Sequence, residues 1–340
     1  MTSRRVSIKD VAREAGVSVT TVSHALNGKG RLSAATRERV GEVAERLGYR
    51  ANPAARNLVS GRAGLIAAMA SLPDDPRARF AEYGYYTALI GAASGAAVAR
   101  DHALVVAPPS RSGLIWDRVP LDGVIVIDPL IGEPALPALR SRGIPSVTIG
   151  RDLDHEGAGA VVTPDEEAGT CDVLDHLRRG GRRVALFSIP PVNAFSRDTI
   201  ACYERWCDRE GCDPIAVILS LEELLAMEEA TLVPSVKRLL DAGADAIYAP
   251  LEVLGVQVQH IVRALGFGVP EDVLVATTMD SGRSIQAEPP MTTLSFDYAT
   301  MGRLAADLLL DLIEHRREEP ICEVVPSFLE TRASTARGAV

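Results

Sequence analysis

The feature that most limits how this chain can fold is an alternation that begins at Gly64. Apolar runs of strand character at residues 65–70, 104–107, 124–127, 147–149, 160–162, 184–189, 216–219, 246–248 and 274–277 are separated by helical patterns, for example at 167–178, 199–209, 233–242 and 254–265. A strand that is apolar along its whole length has no face for water. The helix that follows each strand supplies the cover, so the pattern predicts parallel sheets with helices on both faces. About 270 residues of this alternation is long for one sheet and suits two α/β lobes. Ligands of such sheets bind at the carboxyl ends of strands, often in a crevice between lobes.

The first 62 residues follow a different rule. Ser7 can cap a helix with Asp10 three residues on, and Ile8, Val11, Ala12 and Ala15 then share one face. Gly16 stops that helix, Val17 is the apolar residue of the turn, and Ser18 caps a second helix whose buried stripe is Val22, Ala25 and Leu26. A third helix starts at Ser33, turns Ala35, Val40, Val43, Ala44 and Leu47 inward, and stops at Gly48. This is a helix-turn-helix pattern.

The other face of the second helix carries Thr20, Thr21, His24 and Asn27, where a solvated helix ordinarily shows Lys, Glu, Arg and Gln. Short hydrogen-bonding side chains fit a helix that enters the DNA major groove N-terminus first. Ser18 and the free N–H groups of that helix start can hold a phosphate. Ser7, Arg4, Arg5, Lys9 and Arg31 are the other candidate backbone contacts, which position a protein without reading sequence. Charge agrees: residues 1–62 hold 12 Lys and Arg against 5 Asp and Glu, while the whole chain has a net charge of −9. A basic head on an acidic body implies a polyanionic partner for the head alone. A three-helix adaptor that binds protein is the other reading of this pattern.

Asn52 followed by Pro53 reads as an N-cap with proline in the first helical position, and Ser60-Gly61 ends the helix near Val59. So short a helix is unstable alone in water. DNA could order it, with Leu58 as an apolar wedge in the minor groove. Alternatively the segment is a linker whose leucine docks on the body.

Several classes are excluded. No apolar leader opens the chain and no run approaches the ~20 residues that span a bilayer, which points to the cytoplasm. The five cysteines, Cys171, Cys202, Cys207, Cys212 and Cys322, have neither disulfide-framework nor metal spacing, so no metal and no cofactor is expected. There is no GxSxG, P-loop, HExxH or Rossmann fingerprint, and enzyme chemistry is not expected.

The stretches IKDVAREAGVSVTTVSHALN, SAATRERV and LGYRANPAARNL resemble the lac repressor family of bacterial transcription regulators, the head being closer to the purine-repressor branch. The resemblance covers nearly the whole chain. It implies an all-α helix-turn-helix head and a short hinge helix, joined to a two-lobed, periplasmic-binding-protein-like α/β body with parallel sheets. By it, residues 1–50 form the DNA-binding domain and 51–62 the hinge. Residues 63–161 with 293–325 form one lobe, 162–292 with 326–334 the other, and 335–340 a tail. It also implies a homodimer on a palindromic double-stranded operator, most often as a repressor. A small effector, a sugar or other metabolite, would bind between the lobes. By position, Val19, Thr20 and His24 would read bases, with Leu58 as wedge and Ala55 beside it in the minor groove.

The effector positions depart from the family pattern. The residue four before the aromatic Tyr203 is Thr199 where members carry Arg, and Arg197 is out of register. Ala249 and Pro250 replace a polar pair, while Asp280 is retained and Arg151 ends a strand. Phe80, Tyr83, Tyr85 and Tyr86 cluster in a chain with only 4% aromatics, so they could stack on a flat ligand or pack the lobe. The candidate effector residues are therefore Phe80, Tyr83, Arg151, Arg197 and Asp280. With sugar anchors missing, the same DNA-binding regulator under control of a protein partner is the alternative.

Overall fold

The computed structural model describes residues 6–26, 31–49, 62–72, 84–108, 115–179, 182–280 and 282–336. Arg4, Arg5, Asn27, Ala55, Leu58, Phe80 and Tyr83 lie outside the described residues, as does nearly all of the expected hinge helix. The chain forms two compact units, Met1–Ala63 and Gly64–Val340.

The first unit holds α1 (Ile8–Ala15), α2 (Val19–Leu26) and α3 (Ala34–Arg46). Ser7 closes a capping box with Asp10, whose carboxylate accepts both the Ser7 N–H at 3.0 Å and the Ser7 hydroxyl at 2.6 Å. Gly16, at φ 66°, ends α1 in the left-handed region where a side chain is penalised. Ser18 and Ser33 accept the N–H groups of Thr21 and Thr36, so each later helix also starts on a serine. Val11, Ala12, Ala15, Val22, Val40, Val43 and Ala44 form the core. Ile8, Ala25 and Leu47 pack half-buried against it, and two expected core residues do neither. Ala35 is exposed on the first turn of α3, and Leu26, last in α2, is 37% exposed. Both sit at helix ends, beyond the point where three short helices can cover them.

The second unit contains two six-stranded sheets. The strands of the first are β1 (Leu65–Ala70), β2 (Ala103–Ala107), β3 (Gly123–Ile127), β4 (Ser146–Ile149), β5 (Ala160–Pro164) and β11 (Ile321–Val325), in the order β11-β5-β4-β3-β1-β2. Those of the second are β6 (Val184–Ser188), β7 (Ile215–Ile218), β8 (Ala246–Ala249), β9 (Leu274–Thr278), β10 (Thr292–Phe296) and β12 (Ser327–Glu330), in the order β12-β10-β9-β8-β6-β7. All pairings are parallel except that of β10 with β12. The connecting helices are α4 (Gly84–Ala99), α5 (Ala135–Arg142), α6 (Glu166–Arg178), α7 (Ala194–Glu210), α8 (Leu221–Ala226), α9 (Glu229–Asp241), α10 (Glu252–Ala264), α11 (Gly282–Gln286) and α12 (Tyr298–Ile313). Central β3, β6 and β9 are buried along their whole length, as both-face coverage requires.

The chain passes between the sheets after β5, after β10 and at Pro326. Boundaries drawn at 161 and 292 therefore cut through β5 and β10. Each strand is held whole by its ladder, which moves those two crossings to about residues 165 and 297. After the second crossing α12 returns to the first lobe and packs against α4. Gly302 permits this close approach, because a Cβ there would overlap the Leu89 carbonyl. Strands β10, β11 and β12 have no counterpart among the apolar runs read from sequence. β11 and β12 are half-exposed edges, and β10 is Thr-rich. Its hydroxyls are satisfied inside the lobe, Thr292 by Thr335 at 2.6 Å and Thr293 by Arg332 at 3.1 Å.

Candidate functional site

The first unit presents a surface on α2. Val19 is 41% exposed, and Thr20 and His24, four residues apart, are exposed on the same helix. Neither Thr20 nor His24 makes a side-chain hydrogen bond among the described residues. Thr21 differs: it is half-buried and its hydroxyl lies 2.8 Å from that of Ser18, so both belong to the N-cap of α2. Lys9 and Arg31 are exposed, whereas the Ser7 hydroxyl is already held by Asp10.

The second unit carries a cavity of about 780 Å³ between the lobes. It sits where the strands end. Ser71 follows β1, Asp128 follows β3, Ile149 and Pro164 close β4 and β5, Ile189 follows β6, Pro250 follows β8, Thr278 closes β9 and Phe296 closes β10. Parallel sheets point all these carboxyl ends the same way within a lobe, so eight strand ends converge on one space. The lobes also meet beside it, where the Ile131 N–H donates to the Val192 carbonyl at 2.9 Å.

Five aromatic rings run through this space. Tyr85 lies 4.1 Å from Tyr86 and 5.6 Å from Tyr298 between centroids. Tyr298 meets Phe296 at 5.9 Å, and Phe296 meets Phe195 at 6.5 Å, both edge-on. Beside the rings are two carboxyls, half-buried Asp128 and buried Glu166. Asp128 accepts hydrogen bonds from the hydroxyls of Tyr85 and, at 3.4 Å, Tyr86. Burial pushes it up to about 6 although both tyrosine bonds oppose the shift. Burial and Asp128 in turn push the Tyr85 hydroxyl well above the usual phenol range. Glu166, the first residue of α6, is 9% exposed, lines the cavity and has no hydrogen-bond or ion-pair partner among the described residues. Burial pushes it up to about 7, with Arg151 opposing, Asp128 adding and Arg197 opposing.

The effector residues expected from sequence are placed otherwise. Arg151, Arg197, Glu156 and Asp198 form one ion-pair cluster that ties the end of β4 in the first lobe to α7 in the second. Arg151 pairs with Asp198, and Arg197 reaches Glu156 at 2.8 Å and Asp198 at 3.1 Å. Arg151 borders a small hollow next to Asp128 and Glu166, while Arg197 is not in the cavity wall. Asp280 pairs with Arg332 at 2.7 Å and is likewise absent from the wall. Tyr203 belongs to the core, its hydroxyl donating to the Val184 carbonyl at 2.9 Å.

Sequence reasoning missed Asp128, Glu166, Phe195, Phe296 and Tyr298. One signal was available for Asp128: it directly follows the run at 124–127, at a strand's carboxyl end. Among the described residues no group of His, Cys, Asp and Glu could hold a metal ion, and no helix is long and apolar enough to cross a membrane.

With this geometry in place, similarity to known proteins is specific. Residues 7–52 match the profile of bacterial regulatory proteins of the lacI family, and residues 174–335 that of a periplasmic binding protein-like domain. The transcriptional regulator CelR of Thermobifida fusca is 32% identical, over 97% of this chain and 98% of that protein. Catabolite control protein A of Streptococcus mutans is 26% identical, over 98% and 99%. A solved complex of CelR with cellobiose superposes with a TM-score of 0.71 at 27% identity, covering 97% of this chain and 100% of the other. A lac repressor dimer bound to operator and the anti-inducer ONPF has a TM-score of 0.77 at 23% identity, covering 98% and 100%, and shares the fold. The chain belongs to the lacI family of bacterial regulatory proteins, and it is a DNA-binding transcription regulator, not an enzyme.

Proposed function

We propose that the protein binds a near-palindromic operator as a homodimer, most often as a repressor. A small molecule, a sugar or a related metabolite, occupies the inter-lobe cavity and changes the affinity for DNA. Val19, Thr20 and His24 read base edges in the major groove, Ser18 and Thr21 set the start of the reading helix, and Lys9 and Arg31 contact phosphates. Arg4, Arg5, Asn27, Ala55 and Leu58 take the DNA roles expected from sequence.

One observation carries this reading. A single chain joins exposed Val19, Thr20 and His24 on α2 to a ligand-sized cavity at the strand ends of a two-lobed body. The cellobiose held by the related CelR supports a sugar-like occupant. The cavity favours a small molecule over a protein partner as the controlling ligand, since a protein partner has no use for an interior of this size. Effector and operator are then reciprocal ligands: whatever factor one changes in the affinity of the other is returned.

The test is selection of bound fragments from sheared genomic DNA, then titration of the selected operator across salt and against a sugar panel. A palindrome, a steep fall of log affinity with log salt and a saturable shift by one ligand are expected. A flat salt response would sink the DNA reading. A salt-sensitive operator that no small molecule shifts would sink the effector reading alone.

A further inference from the structure

The cavity is not uniform, and its two ends ask for different chemistry. On the second-lobe side the wall is made by Leu224 and Leu225 of α8, Met227 just beyond it, and Val253 in the first turn of α10. All four are half-buried, and none belongs to the hydrophobic clusters that form the core of that lobe. They are apolar side chains that stand outside their own lobe's core and line the cavity. The polar groups on this side are few and mostly engaged within the protein. Thr278 is bonded to the Tyr248 hydroxyl at 2.7 Å, and Asn193 caps α7 through Ser196 at 3.0 Å. Gln257 donates to the Met227 carbonyl at 3.3 Å, which leaves its Oε1 as a single buried acceptor. Arg283 is exposed and has an interaction of its own.

The other end is the reverse. Glu166 is nine-tenths buried, faces the cavity and has no hydrogen-bond or ion-pair partner among the described residues, and Asp128 is bonded by the two tyrosines through Oδ2. Both present carboxyl oxygens to the cavity, so this end suits a hydroxyl-rich ligand whose groups can donate and accept. A free disaccharide carries hydroxyls on both rings. Against the aliphatic wall, one ring would give up its water with almost nothing in exchange.

We infer that the occupant of the cavity is amphipathic, a glycoside whose sugar ring sits at the Asp128–Glu166 end and whose apolar aglycone fills the wall of Leu224, Leu225, Met227 and Val253. This rests on the proposal that a sugar-like molecule binds between the lobes, and it names the class within it.

The experiment is isothermal titration of the full-length protein with matched phenyl and methyl β-glycosides of glucose, galactose, mannose and xylose, and with cellobiose. For the sugar that binds, the phenyl glycoside is expected to be at least ~10-fold tighter than the methyl glycoside, with a more negative heat-capacity change. Leu225→Asn is expected to weaken the phenyl glycoside far more than the methyl glycoside and so bring that ratio close to one. Val253→Asn repeats the test from α10 should the first variant misfold. Glu166→Gln is expected to weaken phenyl and methyl glycosides alike. A methyl glycoside or cellobiose that binds as tightly as any phenyl glycoside overturns the amphipathic assignment and leaves the sugar-binding reading intact. Absence of binding by every probe overturns both.

Discussion

The head and the cleft of this regulator are built on opposite plans. The head puts its chemistry on one eight-residue helix, with side chains exposed and its stability supplied locally by serine caps and a seven-residue core. The cleft gathers its chemistry from eight strand ends spread from Ser71 to Phe296, and places buried Glu166 near half-buried Asp128. The difference is one of desolvation. A DNA surface can be offered in water until the partner arrives. A cleft between lobes is enclosed beforehand, and it holds groups such as Glu166 that have no hydrogen-bond or ion-pair partner among the described residues.

That contrast can be broken most strongly at the core of the head. Val22 is fully buried in α2, so Val22→Asp places an unpaired charge in a small core and costs about 4 kcal/mol or more. Operator binding should vanish while the thermal transition of the body and its ligand affinity stay unchanged. A body that melts early in this variant would mean that the two units do not stand alone.

The next effect is on the cleft and depends on pH. Folded Glu166 keeps its proton up to about 7, whereas an unfolded glutamate releases it near 4.5. The folded state therefore binds more protons between these values, and this group's contribution to stability falls as pH rises through that window. Glu166→Gln removes the penalty. The variant should be more stable than the parent by about 2–3 kcal/mol at pH 8 and equal to it below pH 4.5, as read from denaturant titrations. Equal curves at pH 8 would show that the carboxyl is solvated or paired.

A smaller change sharpens the head side. His24→Ala should alter preference at one base position per half-site by about 1–3 kcal/mol in a competition against single-base operator variants. A uniform loss over all variants would make His24 a phosphate contact instead. The smallest effect lies at the ion-pair cluster joining the lobes. Asp198→Asn should cost less than about 1 kcal/mol of stability, and the loss should shrink in high salt because the cluster is partly exposed. A salt-independent loss would indicate a buried pair.

The two plans also differ in how far they can be read from residues alone. The caps Ser7, Ser18 and Ser33 and the stop at Gly16 are recognisable because each acts over three or four neighbours. The nine apolar runs of the body correspond to β1 through β9 within a few residues, because central strands buried on both faces are apolar throughout and the edge strands β2 and β7 are apolar as well. Edge strands β11 and β12 escape that signal because Glu323 interrupts the first and Ser327 and Glu330 bound the second. Arg151, Arg197 and Asp280 carry the right chemistry for a ligand, yet local pattern cannot tell whether an arginine has an acid beside it. Three-dimensional neighbours gave Arg197 to Glu156 and Asp280 to Arg332.

Periodicity, caps and charge asymmetry are short-range properties, and they were enough for the head, for the exposed side chains of α2 and for a parallel two-lobed body. Which acids come together, which aromatic rings meet and which wall of the cleft is aliphatic depend on where strands from two sheets end in space. Sheet order β11-β5-β4-β3-β1-β2 and its counterpart bring Asp128 toward Glu166, and Phe296 toward Phe195, across long stretches of chain. No local pattern encodes that convergence, because it comes from strand pairing and the three crossings between lobes, and it is there that burial acts on the carboxyls and creates the site.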